Sequence, residues 1–137
     1  MKIKYQALIT VTLLSVISCT PRDNDSHAVS KVALLFLESF YTYNFQKSAE
    51  FCTSHGTKAI SWYASNLTAD ELSLVTSKPK IKLDETEVKD TVGIARFSAD
   101  NVLVTTSLEE NAHIGTATGC VLLVKRKGNW MVNGLEW

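Results

Sequence analysis

The hydrophobic residues in the first half of the chain recur at helical spacing. Between positions 26 and 43 they fall at i, i+3, i+4 and i+7, which predicts an amphipathic helix. The positions that form this stripe are Val29, Val32, Ala33, Phe36, Leu37, Phe40 and Tyr41. Asp25 or Ser26 is suited to cap the start of the helix, and Asn44 to form the left-handed turn at its end.

Shorter helical patterns follow this first helix. A second short helix is predicted to place Phe45, Ala49 and Cys52 on one face. His55 and Gly56 interrupt the pattern, which resumes over residues 58–67.

The residues that follow predict a helix start and then a change of structure. Thr68 and Glu71 have the spacing of a capping box, in which each side chain accepts a hydrogen bond from the other's backbone amide. Another short helical turn therefore begins there. Pro79 ends the helical half of the chain.

Beyond Pro79, apolar and polar residues alternate as in half-buried strands. The predicted strands cover residues 81–83, 92–97, 101–108, 118–125 and 130–137. Turns are predicted at residues 89–91 and 126–129, and the second of these makes the last two strands a hairpin.

Helices followed by antiparallel strands indicate an α+β fold, with the N-terminal helices packed on one face of a curved antiparallel sheet. This order resembles the cystatin-like α+β roll of the nuclear transport factor 2-like superfamily, and in particular its small uncharacterised lipoproteins from Bacteroidetes-type bacteria. The resemblance covers nearly all of residues 28–137. It is carried by the segments FLESF (36–40), NFQKSA (44–49), LLVK (122–125) and GNWMV (128–132).

The N-terminus has the three parts of a secretory signal. Lys2 and Lys4 precede an apolar run over residues 7–17, which is shorter than the ~20 residues that span a bilayer. The run ends in Val-Ile-Ser-Cys, which resembles the lipobox of bacterial lipoproteins. Residues 1–18 are therefore predicted to be a lipoprotein signal peptide, with Cys19 as the lipidated first residue of the mature chain. An ordinary signal peptide with an incidental cysteine is the alternative.

The predicted lipid on Cys19 indicates where in the cell the protein is located. Two or more acyl chains give a stable membrane anchor, and residues 19–26 are predicted to join that anchor to a single domain over residues 27–137. Thr20 follows the cysteine where the familiar inner-membrane retention signal has aspartate. We therefore expect the chain in a bacterial cell envelope, anchored by palmitate and the other acyl chains to the outer membrane.

The charge of the chain argues against one class of partner. The whole sequence has 14 basic and 14 acidic residues, and Lys2 and Lys4 leave with the signal peptide. The mature chain is therefore slightly acidic and lacks the basic excess of a nucleic-acid-binding protein. We expect no nucleic-acid partner.

Cys52 and Cys120 remain if Cys19 carries the lipid. An even pair of cysteines in an oxidising compartment is consistent with a disulfide. Two separate buried thiols are the alternative, since cysteine behaves as a small hydrophobic residue.

The last hairpin is apolar on both faces if Lys125 opposes Trp130, Leu123 opposes Val132 and Val121 opposes Gly134. One face carries Val121, Leu123, Trp130 and Val132. The other face carries Cys120, Leu122, Val124, Met131, Leu135 and Trp137. Because the helices cover only one face, the second set is predicted to be an interface with a second copy or a protein partner. A one-residue bulge that turns part of each face inward is the alternative.

Polar residues suited to catalysis are scattered. Asp25, Ser26 and His27 are consecutive and so lack the geometry of a catalytic triad. The three histidines, His27, His55 and His113, lack the spacing of metal ligands, so the sequence predicts no metal site and no cofactor.

Some enzymes of the resembled superfamily, such as the ketosteroid isomerases, work in the cone between helices and sheet, with a carboxylate base and oxyanion donors. The residues nearest to that pattern here are Tyr41, Tyr43, Tyr63 and Asp84. The preferred interpretation is a membrane-anchored, periplasmic binding or interaction module that does not catalyse a reaction. Its ligand is either a small apolar molecule in the cone or a protein on the sheet. The alternatives are an inhibitor or immunity-type protein and a small isomerase- or dehydratase-like enzyme.

Overall fold

In the computed structural model, which describes residues 21–104 and 111–137, helices precede strands along the chain. The helices of these ranges are α1 (Pro21–Tyr41), α2 (Phe45–Glu50), α3 (Ser54–Asn66) and α4 (Ala69–Ser73). The strands are β1 (Lys80–Lys89), β2 (Val92–Val104), β3 (His113–Arg126) and β4 (Asn129–Glu136). They form one antiparallel sheet in the order β1-β2-β3-β4. This α+β arrangement confirms the predicted fold class.

Helix α1 begins five residues earlier than the stripe predicted. It starts at Pro21, whose fixed φ suits the first position of a helix. Residues 21–26, predicted as tether, are therefore helical, and Asp25 lies inside the helix and does not cap it. At the other end, Tyr43 takes the left-handed conformation (φ 61°), and Asn44 instead caps α2 by accepting from the backbone amide of Lys47.

The predicted break at His55 and Gly56 is wrong, because both residues lie in the first turns of α3. Thr53 caps this helix by accepting from the amide of Gly56 at 3.1 Å. A side chain at position 56 would collide with the backbone carbonyl of Val132 in β4. Glycine is therefore required here by the close approach of helix and strand.

The capping box at the start of α4 is confirmed. The Glu71 amide donates to Thr68 Oγ1 at 3.2 Å, and the Thr68 amide donates to Glu71 Oε2 at 2.9 Å. Its two hydrogen bonds satisfy amides that the first turn of a helix leaves free.

The predicted separate strand over residues 101–108 is wrong for residues 101–104, the part that the structure describes. Strand β2 continues to Val104 through an irregularity between Ala99 and Val102, where Asn101 adopts a left-handed φ of 59°. A bulge of this kind bends a strand without ending it. Residues 105–108 lie outside the described ranges.

The register of the last hairpin is confirmed near its turn and differs farther away. Lys125 pairs with Trp130 and Leu123 with Val132, as predicted, but Val121 pairs with Leu135 and not with Gly134. The shift occurs because Asn133 is an extra residue in β4, opposite the step from Leu122 to Leu123. This is the bulge that the sequence left open as the alternative.

The core lies between the helices and the sheet face that carries Val121 and Leu123. Both of these residues are fully buried, as are Phe36, Phe40 and Tyr41 from α1. The other buried apolar residues are Val29, Ala33, Leu37, Cys52, Ile60, Ala95, Phe97, Ala99, Val102, Leu103, Ala117, Trp130 and Val132. At roughly 1.5–3 kcal/mol for each large apolar side chain, this core supplies the main driving force for folding.

Candidate functional site

The cone between the helices and the sheet holds two adjoining cavities at the end where α1 finishes. One has a volume of about 150 Å³ and the other about 490 Å³. Both are lined by Trp62, Tyr63 and Trp137, which we call the aromatic mouth. The smaller cavity is closed by Phe36, Phe40, Gly56, Ala59, Ile60, Val132, Gly134 and Leu135. The larger is closed by Tyr41, Leu103, Val104, Thr116, Ala117 and Thr118.

Aromatic contacts hold the mouth in place. The rings of Tyr63 and Trp137 stack with centroids 5.8 Å apart and planes at 24°, and Tyr63 also packs on Phe40 at 4.9 Å. Trp137 Nε1 donates a hydrogen bond to the Tyr41 hydroxyl at 3.1 Å, which joins the end of the chain to the end of α1. The bulge at Asn133 makes this possible, because it turns Leu135 and Trp137 toward the helices.

Two of the three mouth residues are largely exposed to solvent. The exposed fraction is 68 % for Trp62 and 62 % for Trp137. Large apolar side chains grouped at the opening of an apolar cavity are typical of ligand-binding sites. Trp62 was not among the site residues predicted from the sequence. A tryptophan on the polar side of an otherwise amphipathic helix is the signal that could have revealed it.

The wall formed by β3 adds polar backbone groups to the larger cavity. Strand β4 pairs with β3 only as far as Cys120 and Glu136, so β3 extends beyond it over residues 113–119. Within the described ranges, no other strand pairs with this side of β3. Thr116, Ala117 and Thr118 lie along that free edge.

The tyrosines of the cone are neutral groups. Burial raises the pKa of Tyr41 to about 12, and burial likewise raises the pKa of Tyr63. Tyr43 lies close by, accepts from the Leu103 amide at 3.2 Å, and also has a pKa raised by burial. These phenols can therefore donate or accept hydrogen bonds at neutral pH but do not act as bases.

Asp84 does not join the tyrosines. It accepts a hydrogen bond from Ser98 Oγ at 2.9 Å and lies 3.6 Å from Lys82, on strands β1 and β2 away from the cavities. The side chains of the described residues that line the two cavities include no carboxylate, imidazole or amine. The carboxylate that an isomerase of this kind needs is therefore absent from this part of the lining.

Asp25, Ser26 and His27 do not form a reactive trio. The Asp25 carboxylate accepts from Lys125 Nζ at 2.9 Å and from Trp130 Nε1 at 3.0 Å. These charge-assisted bonds lower the pKa of Asp25, with Lys125 as the largest cause. The three histidines lie on different elements. Across residues 21–104 and 111–137, no group of three His, Cys, Asp or Glu side chains is placed to hold a metal ion.

Cys52 and Cys120, the two cysteines of the predicted disulfide, are both free thiols in this structure and lie apart. Cys52 is buried in the core, and its thiol donates to the Ser48 carbonyl at 3.3 Å. Cys120 is next to the buried Val121 in β3, so its side chain points to the opposite face of the sheet. There it lies 3.5 Å from the guanidinium of Arg96.

The predicted sheet interface is wrong for two of its residues, because of the bulge at Asn133. Leu135 and Trp137 line the cone, so they do not belong to the bare face of the sheet. Cys120, Leu122, Val124 and Met131 remain on that face, half-buried, and are joined there by Val92 and Ile94. We call these six residues the outer stripe. A homodimer or a protein partner on this face stays a prediction.

The proposed lipidation site, Cys19, lies outside the described residues, as does the signal peptide that precedes it. In the part of the chain that the structure covers, no helix has both the length and the apolar character needed to cross a membrane.

Comparison with solved structures identifies the fold. The chain superposes with a TM-score of 0.62 on a ketosteroid isomerase-like protein from Erwinia carotovora atroseptica, at 11% identity over 82% of this chain and 94% of that one. The score is 0.58 for an NTF2-like protein of unknown function from Shewanella baltica, at 13% identity over 85% and 94% of the two chains. It is 0.56 for another from Methylobacillus flagellatus, at 13% identity over 82% and 89%.

The chain therefore has the nuclear transport factor 2-like fold that its sequence resembles. No protein-family model and no curated protein sequence matches it. Identities this low show the fold alone, and the fold is shared by proteins of different function.

Proposed function

We propose that this chain is a lipid-anchored binding protein of the bacterial cell envelope, which holds a small apolar molecule in its cone and does not catalyse a reaction on it. The observation that carries the proposal is the aromatic mouth, where Trp62, Tyr63 and Trp137 open onto a mostly apolar cavity of about 490 Å³. Binding sites for small molecules typically have volumes of about 300–1,000 Å³ and mostly apolar walls.

The chemistry of the lining favours binding over catalysis. General acid–base catalysis needs a group that gains or loses a proton near the working pH. The titratable side chains in the described lining are Tyr41 and Tyr63, and burial holds the pKa of each well above its ordinary value of 10. A phenol of this kind can orient a ligand through one hydrogen bond while the rings supply most of the contact area.

The anchor part of the proposal is supported by the sequence before the domain. The Val-Ile-Ser-Cys motif ends the apolar run two residues before α1 begins at Pro21. A lipid on Cys19 would therefore hold the domain close to the bilayer surface. With Thr20 after the cysteine, we place the protein in the outer membrane.

Titration with 1-N-phenylnaphthylamine, a neutral apolar dye that fluoresces when it leaves water, tests the binding site. We expect saturable binding of one dye molecule per chain. Trp62→Ala should weaken that binding roughly tenfold, since one aromatic contact is lost from the mouth. Because Trp62 is mostly exposed, the variant should unfold at nearly the same temperature as the wild type.

Val92→Ala is the matched control, since Val92 is a half-exposed apolar residue on the other face of the sheet. It should leave the dissociation constant unchanged. Equal loss of dye binding in both variants, or no saturable binding by the wild type, would contradict the proposed site.

A further inference from the structure

The two hairpin turns and the start of α1 meet at one end of the fold. Lys125 and Trp130 both donate to Asp25, in the second turn of α1. The Lys125 amide also donates to the carbonyl of Thr91, in the turn between β1 and β2, at 2.8 Å. The β3–β4 turn is thus fixed beside the point at which the chain enters the domain.

This turn carries exposed positive charge. Lys127 and Gly128 are its two central residues, and both have the positive φ values of a type I′ turn, 51° and 81°. Arg126 and Lys127 are exposed. Among the side chains described in residues 24–104 and 111–137, no ion pair joins either of them to a carboxylate, whereas Lys125 is paired with Asp25. In the neighbouring turn, the positive charge of Lys89 is offset by the negative charge of Asp90. Arg126 and Lys127 therefore carry the excess positive charge of the two turns.

Covalent geometry places this turn close to the predicted lipid. Two residues span at most about 7 Å of chain, so a lipid on Cys19 would be attached within that distance of the start of α1. The four helical steps from Pro21 to Asp25 add about 6 Å. The lipidated residue is therefore within roughly 13 Å of Asp25, which Lys125 contacts directly.

We propose that the β3–β4 turn, residues 125–129, binds the phosphate groups of anionic lipids in the membrane that holds the Cys19 lipid. The inference rests on the anchor in the proposed function and deepens it, because it assigns the domain an orientation. Tyr41 is sixteen residues after Asp25 in α1, about 24 Å farther along the helix axis. With its basic turn on the headgroups, the domain presents the aromatic mouth to the aqueous phase and not to the bilayer.

Lysine acetylation of the mature lipidated chain in vesicles tests the contact. One set of vesicles contains phosphatidylcholine alone, and the other equal parts of phosphatidylcholine and phosphatidylglycerol. We expect Lys127 to be acetylated roughly fivefold more slowly in the anionic vesicles, the factor that corresponds to the attraction of one basic residue to such a surface. Lys78, an exposed residue before β1 at the opposite end of the sheet, is the internal control and should react equally in both.

Two further conditions separate charge from simple proximity. High salt should restore the acetylation rate of Lys127, because it screens a surface potential within a few ångströms. Arg126→Gln should reduce the protection of Lys127, whereas Lys80→Gln, a neutralisation at the opposite end, should not. Equal acetylation of Lys127 in both kinds of vesicle, or protection that salt leaves unchanged, would overturn the headgroup contact.

Flotation distinguishes failure of this inference from failure of the anchor. A lipidated chain should float with pure phosphatidylcholine vesicles whatever the turn does. A chain that does not float with them shows that the anchor itself is wrong. A chain that floats but shows no lipid-dependent protection of Lys127 shows that only the headgroup contact is wrong.

Discussion

The Asp25 carboxylate accepts a hydrogen bond from Trp130 Nε1 at 3.0 Å, which joins the first turns of α1 to the last strand, 105 residues away in sequence. Lys125 donates to the same carboxylate oxygen at 2.9 Å. A carboxylate shared by an indole and an ammonium group is favoured in its ionised form. The beginning of the described chain is thereby tied to the hairpin at its end.

Asp25→Asn should reduce the dependence of stability on acid pH. The folded-state pKa of Asp25 is lowered from the ordinary value of 3.8, chiefly by the hydrogen bond from Lys125 and then by that from Trp130. The unfolded chain therefore binds the proton more tightly. The stabilisation is present above pH 3.8 and is lost as the pH falls toward the folded-state pKa.

Urea unfolding at neutral pH and at a pH just below 3.8 measures the effect. The difference between the two free energies of unfolding should be smaller in Asp25→Asn than in the wild type. Val92→Ala, which changes no titratable group, is the control and should show the same difference as the wild type. An Asp25→Asn variant with the full acid dependence of the wild type would show that the carboxylate contacts contribute nothing.

Gly56→Ala should lower the free energy of unfolding by about 2 kcal/mol. The added methyl group would collide with the Val132 carbonyl, and backbone atoms cannot turn aside as a flexible side chain can. That cost exceeds the ~1 kcal/mol that alanine gains over glycine inside a helix.

Gly134→Ala is the control for Gly56→Ala, since the nearest atom to its new methyl group is a Leu122 side-chain carbon at 3.5 Å. Its free energy of unfolding should stay within about 1 kcal/mol of the wild type. If Gly56→Ala is as stable as Gly134→Ala, α3 and β4 do not approach each other as closely at this position as the structure shows.

Alkylation should distinguish the two cysteines of the domain. Burial raises the pKa of the Cys52 thiol to about 12, so little thiolate is present and little reagent reaches it. Cys120 is half-buried on the outer face. Mass spectrometry should find one iodoacetamide adduct on the native domain and two after denaturation without reductant. If the denatured chain needs reductant before either thiol reacts, Cys52 and Cys120 form the predicted disulfide.

Lysine substitutions should separate the two faces of the sheet. Leu122→Lys with Val124→Lys changes the outer stripe. There the ammonium groups of the two new side chains can reach water. Val121→Lys with Leu123→Lys places two charges in the core, at a cost that exceeds the 5–15 kcal/mol stability of a typical domain. Circular dichroism should find the first double variant folded and the second unfolded.

The mass of the wild type and of the outer double variant in solution tests the predicted interface. A wild-type dimer that the outer substitutions dissociate would support a contact through the outer stripe. A wild-type monomer that captures no partner would show that this face is solvated, and that its half-buried residues are covered only by their neighbours in the sheet.

Much of the fold follows from local patterns in the sequence. The apolar stripe from Val29 to Tyr41 and the capping box at Thr68 and Glu71 each depend on residues within a few turns of one another, and both were predicted correctly. The break at His55 and Gly56 was predicted wrongly, because a glycine usually interrupts a helix. The reason for this glycine is the Val132 carbonyl, 76 positions later, and such a contact leaves no local signal.

The candidate site was less predictable than the fold. One extra residue at Asn133 decides whether Leu135 and Trp137 face the cone or the bare side of the sheet, because side chains alternate along a strand. Alternation alone placed them on the wrong face. Trp62 was missed for a related reason, since its role depends on Trp137 reaching the same opening.

The most direct test of the proposed binding site uses the tryptophans as three separate reporters. The chain has three, and each indole N–H gives its own nuclear magnetic resonance signal, which single Trp→Phe variants can assign. Titration with 1-N-phenylnaphthylamine should shift the signals of Trp62 and Trp137, which line the cavity. Trp130 donates to Asp25 at the other end of α1, so its signal should stay in place. Shifts of all three signals alike, or of Trp130 alone, would contradict a ligand site at the aromatic mouth.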